Sequence, residues 1–345
     1  TATATATATA TTTTAATGSA PTVDGTIPVS YFDETPKGEF ITLNDFDTKD
    51  KNKTPTPCYY TSPPTTTTTT TTPPRPPPPP QSTSSKFGLI VYPDVWGFQS
   101  RILRIADYLS IELHCHVVVC DCFRGETKDT QPNIVEWFQN VSYEQIVGPD
   151  TTECLMFLKQ QKNVTEFAAL GFCWGAWAIG KTCQALSNNS SIEITTENPH
   201  DASTTFPSWK AVVSPHPSFG IEKKVFGGDD VKLMQSVANV CPLLLLPAGN
   251  DPGYTKPTSV EFQFLQEKPF VSEQRNDGSS KSKSSSSSSS SKSTSIEFPE
   301  MKHGWTTRGD LLSDEIPLKR DLDLALHEIV DFLRVHLLSS TTGRT

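Results

Sequence analysis

Cys173 stands between two glycines in Gly171-Phe172-Cys173-Trp174-Gly175. It follows the apolar run Ala168 to Phe172 and precedes small and apolar residues at helical spacing through Gly180. That is the sequence form of a nucleophile elbow, in which a strand turns sharply into a helix and lifts one reactive side chain above the sheet. Cysteine takes the place of the usual serine, and glycine on either side lets the turn pack close to its neighbours. A thiol at a helix N-terminus lies among unpaired backbone N–H groups that favour its thiolate, the nucleophilic form. The amide of Trp174 would point to the same place, where it would stabilise an oxyanion once Cys173 attacks a carbonyl. A bare G-x-C-x-G is as readily a buried cysteine at a helix start, so residues downstream must decide.

Two of them bear on it. Asp251 follows the apolar run Pro242 to Ala248 in Gly249-Asn250-Asp251, and His303 follows the predicted strand Ser295 to Met301. In a doubly wound sheet, loops at the carboxyl ends of strands converge on one edge, which is where sites form. Nucleophile, acid, histidine is the chain order expected of α/β-hydrolases. Singly, Asp251 in Asn-Asp-Pro-Gly is a turn residue and His303 a loop histidine. Together, at three strand ends and in that order, they predict a Cys173–His303–Asp251 triad.

The elements that must position these residues alternate. Glu39 to Leu43 and Cys58 to Thr61 predict two leading strands, and Lys86 to Tyr92 is a nearly continuous apolar run suited to a strand buried on both faces. Ile102, Ile105, Ala106 and Leu109 mark an amphipathic helix over Arg101 to Leu113, and His116 to Cys122 is the next strand. A helical segment from Tyr143 to Gln160 precedes the elbow strand, Trp209 to Ser214 is a further strand, and the final helix runs from about Leu318 to Leu338. Strands alternating with helices imply an α/β domain: a mostly parallel central sheet with helices on both faces.

Composition bounds the rest. Hydrophobic content is only 35% because Thr, Ser and Pro tracts dilute it. Setting the tracts aside leaves about 260 residues, ample for a single α/β core. The expected organisation is a low-complexity, mostly disordered segment over 1–37 and one domain over 38–338. That domain carries low-complexity insertions near 62–84, 187–205 and 276–294, and 339–345 forms a disordered tail. A net charge of −9 with scattered Lys and Arg argues against nucleic acid or an anionic membrane as partner. No run approaches the length of a membrane span, and the start lacks the apolar and basic parts of a leader. The eight cysteines contain no C-x-x-C pair, and most sit in apolar runs where a thiol behaves as a small hydrophobe. This points to a reducing, cytoplasmic setting.

The chain resembles the dienelactone hydrolase (carboxymethylenebutenolidase) family of the α/β-hydrolase fold from about Gly38 to Leu338, apart from the low-complexity insertions. The matching motifs are Asp94-Val95-Trp96-Gly97, Asp121-Cys122-Phe123-Arg124-Gly125-Glu126, the elbow, His216-Pro217-Ser218, and His303-Gly304-Trp305-Thr306-Thr307-Arg308. The resemblance implies Cys173 as nucleophile, His303 as general base and then acid, and Asp251 as the group that orients the imidazole. It implies an oxyanion hole from the amides of Trp174 and Val95. Asp94, one methylene shorter than the glutamate of the bacterial enzymes, would hydrogen-bond the resting thiol. Arg124 and Arg308 would hold a substrate carboxylate, each guanidinium pairing with it through two parallel hydrogen bonds. Trp96, Trp174, Trp177 and Trp305 are candidates to wall an apolar pocket, with core packing the default for Trp177, and His216 reads as a loop brace.

The expected function is hydrolysis of a small ester or lactone, carboxylate-bearing, through an acyl-cysteine intermediate, with neither metal nor organic cofactor. A monomer or weak homodimer acting on a small molecule is the expected state. Two other classes stay open. A non-catalytic hydrolase-like binding protein predicts a missing triad member, and a thiol redox protein needs a resolving cysteine that the sequence does not place.

Overall fold

A computed structural model describes residues 26–43, 54–64, 85–187, 209–267, 292–312 and 317–338. The N-terminal repeat, most of the expected insertions and the tail lie outside the described residues. The eight strands are β1 (Glu39–Leu43), β2 (Thr56–Thr61), β3 (Phe87–Tyr92), β4 (His116–Cys120), β5 (Glu166–Gly171), β6 (Trp209–Pro215), β7 (Leu243–Leu246) and β8 (Thr294–Ser295). They form one sheet in the order β1-β2-β4-β3-β5-β6-β7-β8. β1 and β2 pair antiparallel and β2 joins β4 antiparallel, while every pairing from β4 through β8 is parallel. β7 is shorter than the run Pro242 to Ala248 suggests, because prolines 242 and 247 have no N–H to give the ladder. The expected strand Ser295 to Met301 shrinks to Thr294–Ser295 plus a single bridge between Ala248 and Phe298, just before Pro299.

Nine helices are described: α1 (Val29–Asp33), α2 (Ser100–Glu112), α3 (Ile134–Asn140), α4 (Gly148–Met156), α5 (Trp174–Ser187), α6 (Ile221–Phe226), α7 (Asp230–Val240), α8 (Val260–Glu267) and α9 (Leu318–Leu338). The expected helix Tyr143 to Gln160 is α4 flanked by wider π-type turns over Tyr143–Val147 and Phe157–Gln161. Apolar residues of α2 and α9 cover one face of the sheet and those of α4, α5 and α7 the other, so β3, β5 and β6 are buried on both sides. That double burial is why those strands read as unbroken apolar runs.

Two expected boundaries need correction. The domain begins before Gly38: Ile27, Tyr31 and Phe32 are buried, and the Arg104 guanidinium lies 3.8 Å over the Tyr31 ring while its Nε donates to the Tyr31 carbonyl. Mostly polar neighbours hide this short apolar group from a composition reading. The serine-rich insertion also ends sooner than 294. Ser293 is buried with its Oγ accepting from the Leu243 amide at 3.2 Å, and Thr294 is already in β8.

Candidate active site

Cys173 occupies the turn between β5 and α5 with φ of 52°, a left-handed conformation that a side chain bearing Cβ rarely adopts. Close approach on both sides holds it there. A Cβ on Gly171 would lie 2.4 Å from the Gly175 carbonyl carbon, and one on Gly175 would lie 2.6 Å from the Tyr92 carbonyl oxygen. The loop after β6 clasps the turn from the other side, with the Cys173 amide donating to the Pro215 carbonyl and the Ser218 amide to the Cys173 carbonyl. Strain fixed in this way is what presents a nucleophile clear of the sheet.

The acid and histidine loops lock to each other before they reach the thiol. The Gly249 amide donates to the Met301 carbonyl, and the His303 amide donates to Asn250 Oδ1 at 2.7 Å. Asp251 is buried; its Oδ2 accepts from the Ala248 amide at 2.7 Å, which aims Oδ1 at His303 Nδ1, 2.5 Å away. His303 Nε2 then lies 3.0 Å from Cys173 Sγ. Burial works against a charge on His303, but its hydrogen bonds to Asp251 and Cys173 outweigh that and push its pKa up to about 10. The ring therefore carries a proton at neutral pH beside the sulfur.

Sheet order, elbow after β5, acid after β7 and histidine after the last strand now stand together. This is the α/β-hydrolase fold. No family model matches the chain. An endo-1,3;1,4-beta-D-glucanase of Zea mays is 25% identical over 204 residues, which is 57% of this chain and 55% of that protein. The chain thus spans about half the length of the curated relative it matches. Among solved structures, a provisionally assigned dienelactone hydrolase from Klebsiella pneumoniae has 12% identity and a TM-score of 0.49, over 86% of this chain and 98% of that one. Esterase 2 of Thermogutta terrifontis has 10% identity and a TM-score of 0.49, over 87% and 97%.

The other expected site residues fare unequally in the α/β-hydrolase frame. The amides of Val95 and Trp174 donate to nothing among the described residues, which leaves both available to an oxyanion. Asp94, by contrast, does not reach the thiol. It is fully buried, with Oδ1 accepting from the Trp96 amide at 2.9 Å and Oδ2 from the Thr307 hydroxyl at 2.7 Å. Arg124 is likewise committed: Nη1 and Nη2 donate to the two oxygens of buried Asp150 at 2.6 and 2.8 Å, so its fork is already filled by an internal carboxylate. Arg308 keeps more freedom. Its guanidinium stacks 3.5 Å over the Trp96 ring, Nη2 donates weakly to the His303 carbonyl at 3.4 Å, and Nη1, 3.6 Å from Asp94, has no hydrogen-bond partner among the described residues. It folds back over Gly304, where a Cβ would collide with it. A pocket beside the histidine is lined by Glu300, Lys302, His303 and Arg308, and Cys173 is not among its lining residues.

Trp174 and Trp177 are buried in the core and wall no described pocket, whereas Trp305, itself mostly buried, lines the pocket beside His303, and Trp96 is partly exposed with its Nε1 donating to Asp129. Ser218 is the residue that a search for a triad passes over. Its hydroxyl lies 3.3 Å from both Cys173 Sγ and His303 Nε2. The His216-Pro217-Ser218 motif was its visible sign. His216 itself is fully buried with Nε2 2.6 Å from Thr306 Oγ1, and its ring centroid is 5.1 Å from that of His303. Burial, together with the charges of His303 and Arg308, pushes its pKa well down, so it stays neutral beside a charged ring. Ligand atoms of Cys173, His216 and His303 lie within 4.8 Å of one another, close enough to share a soft metal ion.

Proposed function

We propose that this protein hydrolyses small carboxylic esters or lactones through an acyl-cysteine intermediate. The observation that carries the reading is the unbroken line from Asp251 through His303 to a thiol held at positive φ, beside two undonated amides. Cys173 attacks the carbonyl carbon as the thiolate, and the carbonyl electrons move to an oxygen held by the Val95 and Trp174 amides. Collapse breaks the ester bond, and protonated His303 gives its proton to the departing alkoxide. The now neutral ring takes a proton from water, whose oxygen attacks the thioester. A second collapse releases the acid and returns the thiolate beside protonated His303. In a lactone the alkoxide stays tethered to the acyl group until that second step. The dienelactone hydrolase resemblance narrows the substrate to one bearing a carboxylate, and Arg308, ion-paired with Asp94 but with no hydrogen bond from Nη1 among the described residues, is the arginine left to meet it.

Two other readings have less support. Glycoside cleavage, which the name of the maize relative suggests, uses a pair of free carboxyl groups about 5 to 9.5 Å apart. Here Asp251 is bound to His303 and the Ala248 amide, and Asp94 to Thr307 and the Trp96 amide. A thiol redox role needs a resolving cysteine, and the hydrogen-bonding neighbours of Cys173 Sγ among the described residues are Ser218 and His303.

The deciding experiment assays purified protein on p-nitrophenyl acetate, a dienelactone and mixed-linkage β-glucan, with Cys173→Ala beside it. Acid-quenched mass spectrometry should find the acyl group on Cys173, the most exposed of the eight thiols at 7% and the first that iodoacetamide should alkylate. Ester turnover that survives in Cys173→Ala, or activity on the glucan alone, would sink the proposal.

A further inference from the structure

Four cysteines that the triad does not use gather in one part of the core. Cys58 is on β2, Cys120 ends β4, Cys122 follows it and Cys154 is on α4, and all four are buried. Cys58 and Cys120 stand directly opposite each other in the antiparallel ladder, so their side chains leave the same face of the sheet. Helix α4 covers that face and brings Cys154 down onto them. The sulfurs of Cys58 and Cys154 are 3.7 Å apart, as are those of Cys120 and Cys122. Those of Cys58, Cys120 and Cys154 all lie within 4.8 Å of one another. Cys120 and Cys122 also come within 4.8 Å of the carboxylate of Asp150, the residue that holds Arg124.

A single buried thiol packs well as a small hydrophobe, but packing alone does not call for three sulfurs within 4.8 Å of one another. As a ligand set they fit. Zinc binds thiolates at about 2.3 Å in tetrahedral sites, which places neighbouring sulfurs about 3.8 Å apart. We propose that Cys58, Cys120 and Cys154 bind one zinc ion as a structural site between β2, β4 and α4, with Cys122, whose sulfur lies 3.7 Å from that of Cys120, as the fourth sulfur. Each thiol that ligates the ion loses its proton to solvent, so zinc uptake releases protons and strengthens as pH rises. The ion would tie the antiparallel β2 to the parallel body of the sheet and to the helix above it.

The test uses the full chain purified under reducing conditions, with zinc per chain measured by plasma mass spectrometry. One zinc per chain is expected in the wild type and in Cys173→Ala, with loss in Cys58→Ser and Cys154→Ser. Stripping the ion with a chelator should lower the melting temperature of the wild type. Because a serine variant can fail to fold for other reasons, cobalt replacement in the wild type supplies an independent reading. A tetrahedral thiolate site gives an intense sulfur-to-cobalt band in the near ultraviolet. A wild type that holds no zinc and gives no such band overturns the proposal. So does zinc that is lost in Cys173→Ala, which would place it on the Cys173, His216 and His303 group instead.

Discussion

His303 holds its proton because Asp251 and the sulfur favour the charged ring more than burial disfavours it. In the proposed reaction that proton goes to the leaving group, so acylation should fall as pH rises through about 10, where His303 gives it up. Asp251 raises this pKa, so Asp251→Asn should move the alkaline limb of kcat/KM to lower pH as well as slowing the reaction. A limb left in place would mean that another group sets it. The two arginines separate in the same residue-level terms. Replacing Arg308 by Ala should cost anionic esters roughly 1.5 to 3 kcal/mol, the worth of a hydrogen bond to a charged group, or about ten- to a hundredfold in kcat/KM. Neutral esters should be spared. Arg124→Ala instead leaves buried Asp150 with the Thr56 hydroxyl but without its charged partner, which costs roughly 3 to 5 kcal/mol of stability, and it should lower expression or melting temperature while leaving the anionic-to-neutral ratio unchanged. Measuring that ratio for both variants checks the assignment, and equal losses on both substrate types in Arg308→Ala would make it structural too.

At the level of elements, the insertion boundary gives a sharper deletion than composition alone. Removing 279–291 should leave the melting temperature nearly unchanged, since serine tracts bury no apolar surface and loop closure entropy varies slowly with length. Extending the deletion through Ser293 removes the buried hydroxyl that takes the Leu243 amide and should destabilise the β7–β8 edge. Equal melting temperatures for the two deletions would contradict the boundary. The strands were legible because double burial writes itself as apolar runs. The elbow was legible because its close contacts, Gly171 against Gly175 and Gly175 against Tyr92, admit no side chain. What stayed hidden depends on partners far along the chain. Arg124 reads as an arginine for the substrate carboxylate until Asp150, 26 residues on, is seen to hold it. Asp94 reads as a neighbour of the thiol until Thr307 takes its oxygen. The cysteine cluster draws on two strands and a helix, so no C-x-x-C spacing announces it.

For the whole molecule, the apolar group ahead of β1 decides how much chain the domain needs. Ile27, Tyr31 and Phe32 pack against α2, and Arg104, fully buried on that helix, depends on them for its surroundings. Its Nε donates to the Tyr31 carbonyl, its charge faces the Tyr31 ring, and Glu34 and Asp107 complete its ion pairs. Asp107 in turn accepts from the Tyr59 hydroxyl and the Lys37 amide, so the segment is wired into β2 as well as α2. Deleting residues 1–25 removes Thr and Ala repeats with no apolar face and should leave urea unfolding unchanged. Deleting 1–37 exposes the apolar surface that three large side chains covered and leaves the Arg104 charge with Asp107 alone. Each fully buried side chain of that size is worth about 1.5 to 3 kcal/mol, so the loss should be on the order of 5 kcal/mol, a third or more of the stability of an ordinary domain. Indistinguishable unfolding midpoints for the two truncations would show that the domain begins at β1 after all.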